Sequence, residues 1–79
     1  MAIYIQINKT DETGSSATYE FGPVDKIVGA VKLDKNTGDV QLLAIDVPDR
    51  EDFFISRVTR KLTLHWQVGE YPARTSWAA

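Results

Sequence analysis

Asp34-Lys35-Asn36-Thr37-Gly38-Asp39 separates two apolar runs, and its reading decides the fold. Asn36 and Thr37 suit a type I turn, and Gly38 can take positive φ at no steric cost. Upstream, residues 26–34 place Ile27, Gly29, Val31 and Leu33 on one face. Downstream, Val40–Val47 returns as a second strand. A turn this tight makes the two runs an antiparallel pair. Gly29, inside a strand, predicts a bulge or the close approach of a large side chain.

The same alternation continues toward the N-terminus. Over residues 17–21, Ala17, Tyr19 and Phe21 oppose Thr18 and Glu20. Gly22-Pro23 ends that strand, because proline cannot donate to a ladder. Over residues 2–8, Ile3, Ile5 and Ile7 oppose Tyr4, Gln6 and Asn8, which is a strand with one buried face. Polar Lys9–Ser16 reads as the hairpin connection. The first 47 residues therefore predict two hairpins joined at Gly22-Pro23, with an exposed edge at Ala2–Asn8.

Toward the C-terminus the period changes. Pro48 breaks the strand, Asp49 suits an N-cap, and Glu51 and Asp52 place negative charge at the positive end of a helix dipole. At 100° per residue, Phe54, Ile55, Val58, Leu62, His65 and Trp66 share one stripe. Gly69 is a natural stop and Pro72 follows. The helix is expected near residues 50–67, about 27 Å long. Glu70–Ala79, with Tyr71, Pro72 and Trp77, is too apolar for a tail and should fold back or meet a partner. The expected fold is α+β: a four-stranded antiparallel β-meander with one C-terminal α-helix packed on one face, a single domain over residues 1–79. Its core is drawn from Ile3, Ile5, Ile7, Ile27, Val31, Leu33 and the helix stripe.

Composition narrows the function. Seventy-nine residues make one domain with a thin core. There is no cysteine, so disulfides and thiolate metal sites are excluded. An apolar fraction of 43% belongs to a folded chain. No run free of charged residues, Val40–Ile45 among them, is long enough to span a bilayer. The first residues carry neither a basic n-region nor an unbroken apolar h-region, so a cytoplasmic location with no membrane partner is expected. Residues 1–49 hold eight acids and four bases, and residues 50–79 hold three acids and five bases.

Little in the sequence marks an active site. His65 is the single histidine, and no nucleophile elbow or triad motif accompanies it. One His and no Cys do not build a zinc site, and no calcium-loop spacing is present. The glycines are isolated, so no phosphate-cradling loop exists. No catalytic residue, metal or cofactor is expected. An enzyme centred on His65, with a nearby hydroxyl or carboxylate, ranks last. Arg57, Arg60 and Lys61, interleaved with Phe53 and Leu64, form either a solvated helix face or a surface for nucleic acid or an acidic protein. Trp66, Tyr71 and Trp77 either close one end of the core or anchor a partner.

Two local resemblances exist. Leu33–Val40 resembles the hairpin segment of cadherin repeats, but that family's calcium-binding motifs are missing, which leaves shared turn chemistry. Arg57–Ala79, with Leu62, His65-Trp66, Gly69-Glu70-Tyr71-Pro72 and Trp77-Ala78-Ala79, resembles the C-terminal ends of small bacterial immunity proteins encoded beside polymorphic or contact-dependent toxins. That resemblance implies a non-catalytic protein that binds and neutralises one cognate toxin, and it supplies no functional residues. Many such toxins act on nucleic acid and are basic, which suits an acidic inhibitor. On this reading Asp25, Asp34, Asp39 and Asp46 face the partner, with Tyr71 and Trp77 as aromatic anchors. A small nucleic-acid-binding protein using Arg57, Arg60 and Lys61 is the alternative. A homodimer is compatible with either.

Overall fold

The decisive turn closes as its residues require. Asp34 Oδ1 accepts from the N–H groups of Asn36 at 2.8 Å and Thr37 at 3.3 Å. Gly38 takes φ +81° and donates its N–H to the Asp34 carbonyl at 2.8 Å. The computed structural model describes residues 4–78. In chain order it contains strands β1 (Tyr4–Glu12), β2 (Ser16–Gly22), β3 (Gly29–Asp34) and β4 (Val40–Ile45), helix α1 (Glu51–Gln67) and strand β5 (Arg74–Ala78).

The sheet has five strands rather than four, in the order β4-β3-β2-β1-β5. The four expected strands form the meander. The segment expected to fold back supplies the fifth, antiparallel to β1, with Ile5 opposite Trp77 and Ile7 opposite Thr75. All four neighbouring pairs are antiparallel, so β4 and β5 run parallel to each other. Parallel strands cannot be joined by a tight turn. Helix α1 is the crossover that carries the chain from one edge of the sheet to the other.

Ile5 and Ile7 from β1, Ala17, Tyr19 and Phe21 from β2, and Val31 and Leu33 from β3 are buried on the helix side. Phe54, Val58 and Leu62 pack onto them from α1, four residues apart as one helical stripe demands. The rings of Phe21 and Phe54 lie 5.8 Å apart. Fully burying a side chain the size of Leu62 contributes about 1.5–3 kcal/mol, so these few residues dominate the stability of a small domain. Gly29 is the expected close approach: a Cβ there would come within 2.5 Å of the Phe21 ring.

Several boundaries differ from expectation. β1 continues to Glu12 through a register shift between Lys9 and Asp11, so the connection shrinks to a turn held by Thr13 Oγ1, which accepts from Ser15 and Ser16 N–H. With β5 alongside it, β1 is an interior strand, not the expected edge. β3 begins at Gly29, and Val28 enters the core instead of Ile27, which is 36% exposed. The Val28 N–H is tied to the Phe21 carbonyl at 2.9 Å, and this hydrogen bond turns Ile27 out. Asp49 is not the N-cap. It lies in a single 3-10 turn, Pro48–Arg50, and the helix starts at Glu51 without a side-chain cap. Ile3 lies outside the described residues.

Candidate functional site

β4 and β5 are the two edges of the sheet. β4 is unusual for an edge in carrying no charged residue and no proline. Its sequence, Val40-Gln41-Leu42-Leu43-Ala44-Ile45, breaks strict alternation. Ala30 pairs with Ala44 while Val31 pairs with Leu42, so Leu43 is the extra residue of a bulge. Val40, Leu42 and Ile45 pack against the core, and Leu43 is left 49% exposed.

Carboxylates bracket this strand. Asp39 precedes it and Asp46 follows it, at opposite ends of six residues, roughly 20 Å at the usual rise. The Asp46 N–H donates to the Val28 carbonyl at 2.7 Å, which brings Asp46 beside the end of the 23–28 segment; the start of that segment, next to Asp25, is tied instead to Gln6 of β1. Asp34 and Asp39 stand together at the other end. They line a shallow polar hollow with Ser16, Lys32, Asn36 and Gln41. All four carboxylates are exposed, and none takes part in an ion pair among the described residues. Asp34 has a structural duty besides, since one of its oxygens holds the turn.

Tyr71 and Trp77 are placed elsewhere. Tyr71 lies in the strap between α1 and β5, across the end of the sheet where β1 and β2 meet. Its ring lies 4.5 Å from Lys35 Nζ, and its carbonyl accepts from Lys9 Nζ at 2.8 Å. Tyr19 donates its hydroxyl to the Pro72 carbonyl at 3.0 Å. Lys35 and Lys9 both reach Glu12, and these hydrogen bonds, Lys35 first, hold its carboxyl down at about 2. Burial, reinforced by the neighbouring Glu12 and Tyr71, pushes the Tyr19 phenol up to about 12. Trp77 packs against the core from β5, and its Nε1 is buried without a hydrogen-bond partner among the described residues. Neither aromatic joins the carboxylates of the β4 side.

The basic group is partly committed. The Arg57 guanidinium lies 4.2 Å from the Phe53 ring centroid, and its Nη1 donates to the Phe53 carbonyl at 2.9 Å. Arg50, which the sequence reading did not single out, stacks on the same ring at 4.5 Å. Arg60 is exposed and Lys61 half-buried. Trp66 faces the β3–β4 turn and His65 faces β5. Another 100° around the helix brings Leu64, Arg57 and Lys61, on the β5 side. Arg57 and Lys61 thus lie on the β5 flank of the helix, away from Asp39 and Asp46 at the β4 edge, and Arg60 points away from the sheet.

His65 Nε2 lies 2.9 Å from Thr75 Oγ1, and its Nδ1 lies 3.6 Å from Glu70. Hydroxyl, imidazole and carboxylate follow the order that acyl transfer uses. The Nδ1 to Glu70 separation is too long for a hydrogen bond. Thr75 pairs with buried Ile7, which places its side chain under the helix. The bond to Thr75 fastens α1 to β5. Among the described residues no three His, Cys, Asp or Glu side chains converge as metal ligands, and no helix is long and apolar enough to cross a membrane.

No protein-family model matches the chain, and neither a curated protein nor a solved structure does.

Proposed function

We propose that this chain is a non-enzymatic protein-binding module, an immunity-type inhibitor that binds and neutralises one cognate bacterial toxin in the cytoplasm. The observation that carries the reading is the set of exposed carboxylates Asp34, Asp39 and Asp46 on the β3–β4 side of the sheet, with Asp25 exposed in the connection before β3, all free of ion pairs among the described residues. Unneutralised acids on one side of a hydrogen-bonded sheet steer a basic partner toward that side and orient its encounter. A toxin that acts on nucleic acid carries the matching basic surface. Arg57, held against Phe53, is already engaged, which leaves fewer free cations for a phosphate backbone.

The test starts from the immobilised chain and a lysate of its source cell. Each retained protein is then expressed alone and together with the chain. One that arrests growth alone, and not when co-expressed, supports the proposal. Reversing Asp25, Asp39 and Asp46 to lysine, with the turn-forming Asp34 left in place, should then slow association and flatten its salt dependence. Retention of nucleic acid alone, released steeply by salt, overturns the proposal and moves the interface to Arg57, Arg60 and Lys61.

A further inference from the structure

We infer that the edge of β4 is a docking strand, which takes an extended segment bearing basic side chains and adds it to the sheet. The inference rests on the inhibitor reading and specifies how the partner is held.

Four observations converge on this edge. The outer side of β4 has no neighbouring strand, and no other backbone segment among the described residues bonds to residues 40–45 there. Unpaired N–H and C=O groups in a row are a template for another strand. Second, the usual guards of an edge, lysine and proline, are missing from β4. The Leu43 bulge is its one interruption. It confines regular pairing to Val40–Leu42 and turns an apolar side chain outward, where a docked segment gains contact.

Third, charge selects the occupant. Gln41 pairs with Lys32, and both border the hollow that holds Asp34 and Asp39. Lys32 offsets one of those two carboxylates and leaves the hollow negative. A cationic side chain next to Gln41 reaches it directly. Asp46 offers a second site at the far end. Fourth, the opposite edge is unsuited to such a segment, because β5 carries Arg74 and lies beside the flank with Arg57 and Lys61.

The experiment uses the whole chain, labelled with nitrogen-15, at low ionic strength. Two synthetic seven-residue probes are added, acetyl-Lys-Thr-Val-Thr-Val-Thr-Lys-amide and the same peptide with Glu at both ends. The lysine peptide should shift the amide resonances of residues 40–43 and slow their exchange with solvent. The glutamate peptide should leave them unchanged. The double variant Asp39→Lys, Asp46→Lys, whose altered side chains make no hydrogen bond or ion pair among the described residues, should bind the lysine peptide at least tenfold more weakly. An unchanged circular dichroism spectrum for that variant keeps the comparison valid. Absence of protection at 40–42, equal response to both peptides, or changes confined to residues 57–64 or 74–78 overturns the inference. So does protection that depends on protein concentration without peptide, which would assign the edge to a second copy of this chain. Peptide docking on β4 with no toxin in the lysate sinks the inhibitor reading alone. A neutralised toxin that leaves 40–42 unprotected sinks the docking strand alone.

Discussion

The indole of Trp66 lies against the Cα of Gly38, so close that a Cβ built there would come within 2.7 Å of the ring. The same indole donates Nε1–H to the Lys35 carbonyl at 2.8 Å. One turn residue therefore seats the last turn of α1 on the β3–β4 hairpin. Gly38→Ala should cost at least ~1–2 kcal/mol from the left-handed backbone alone, and more as the ring is displaced. Gly38→Asn eases the backbone part but keeps the Cβ, so it should fall between. Urea unfolding followed by tryptophan fluorescence measures both, and a Gly38→Ala variant within about 0.5 kcal/mol of the parent, the range of neutral surface changes, would falsify this account of the contact.

Glu12 gives the fold a defined acid response. Its folded value of about 2 lies below the ordinary 4.5, so it binds a proton less readily in the fold than in the unfolded chain. Its contribution is present above pH 4.5 and is lost as pH falls toward 2. The melting temperatures of the parent and Glu12→Gln should therefore differ at pH 6 and converge between pH 4.5 and 2. The difference at pH 6 should also shrink in high salt, because the ions are near solvent. A constant difference over that pH range would show that Lys35 and Lys9 are not what Glu12 contributes.

Tyr19 should set the alkaline limit. Its folded value, near 12, is above the ordinary 10.0, so its contribution is full below pH 10 and disappears as pH rises through 12. Phenolate absorbance should show a late step, belonging to Tyr19, that coincides with unfolding. Tyr19→Phe removes the late step and leaves the Pro72 carbonyl without its donor, at a cost of about 1 kcal/mol. A Tyr19 phenol that ionises at its ordinary 10.0 in the folded chain would contradict its burial.

Arg57 and Arg60 look alike in the sequence and should behave differently. Arg57→Ala loses the Phe53 ring contact and a hydrogen bond, about 1 kcal/mol in all. Arg60→Ala, at an exposed position, should change stability by less than about 0.5 kcal/mol. Equal effects in chemical denaturation would mean that the stacking on Phe53 contributes nothing.

Local pattern carried most of the fold. The alternation at Ile5–Ile7 and Ala17–Phe21, the turn at Asn36–Gly38 and the stripe from Phe54 to Trp66 are readable because neighbours in sequence decide them. β5 was missed because Thr75-Ser76-Trp77 is too short to show a period, and its partner lies almost the whole chain away. Ile27 and Val28 are adjacent and both β-branched, so hydrophobicity alone does not choose between them, and a hydrogen bond from β2 does. The bulge did leave a trace: Leu42 and Leu43 cannot both face the core of one regular strand. The candidate acids were visible as residues. Their placement was not, because the bond from Asp46 to Val28 is a long-range contact, and the separation of Asp39 and Asp46 from Arg57 and Lys61 depends on how the helix lies between β4 and β5.

The parallel relation of β4 and β5 has a consequence for folding kinetics. Tyr4 and Ala78 are paired across β1 and β5, so the two ends of the described chain are about one strand spacing apart, roughly 5 Å. A circular permutant that joins them with a short linker and opens in the 68–73 strap would run β5, β1, β2, β3, β4, α1. Every strand would then follow its spatial neighbour, and the closure that now waits for Arg74 to reach Asn8 would become one more hairpin. Its lower contact order should make it refold faster than the parent, with the same sheet at the end. The speed limit of this domain is therefore set by where the ring of elements is cut, and stopped-flow refolding of the two chains measures it.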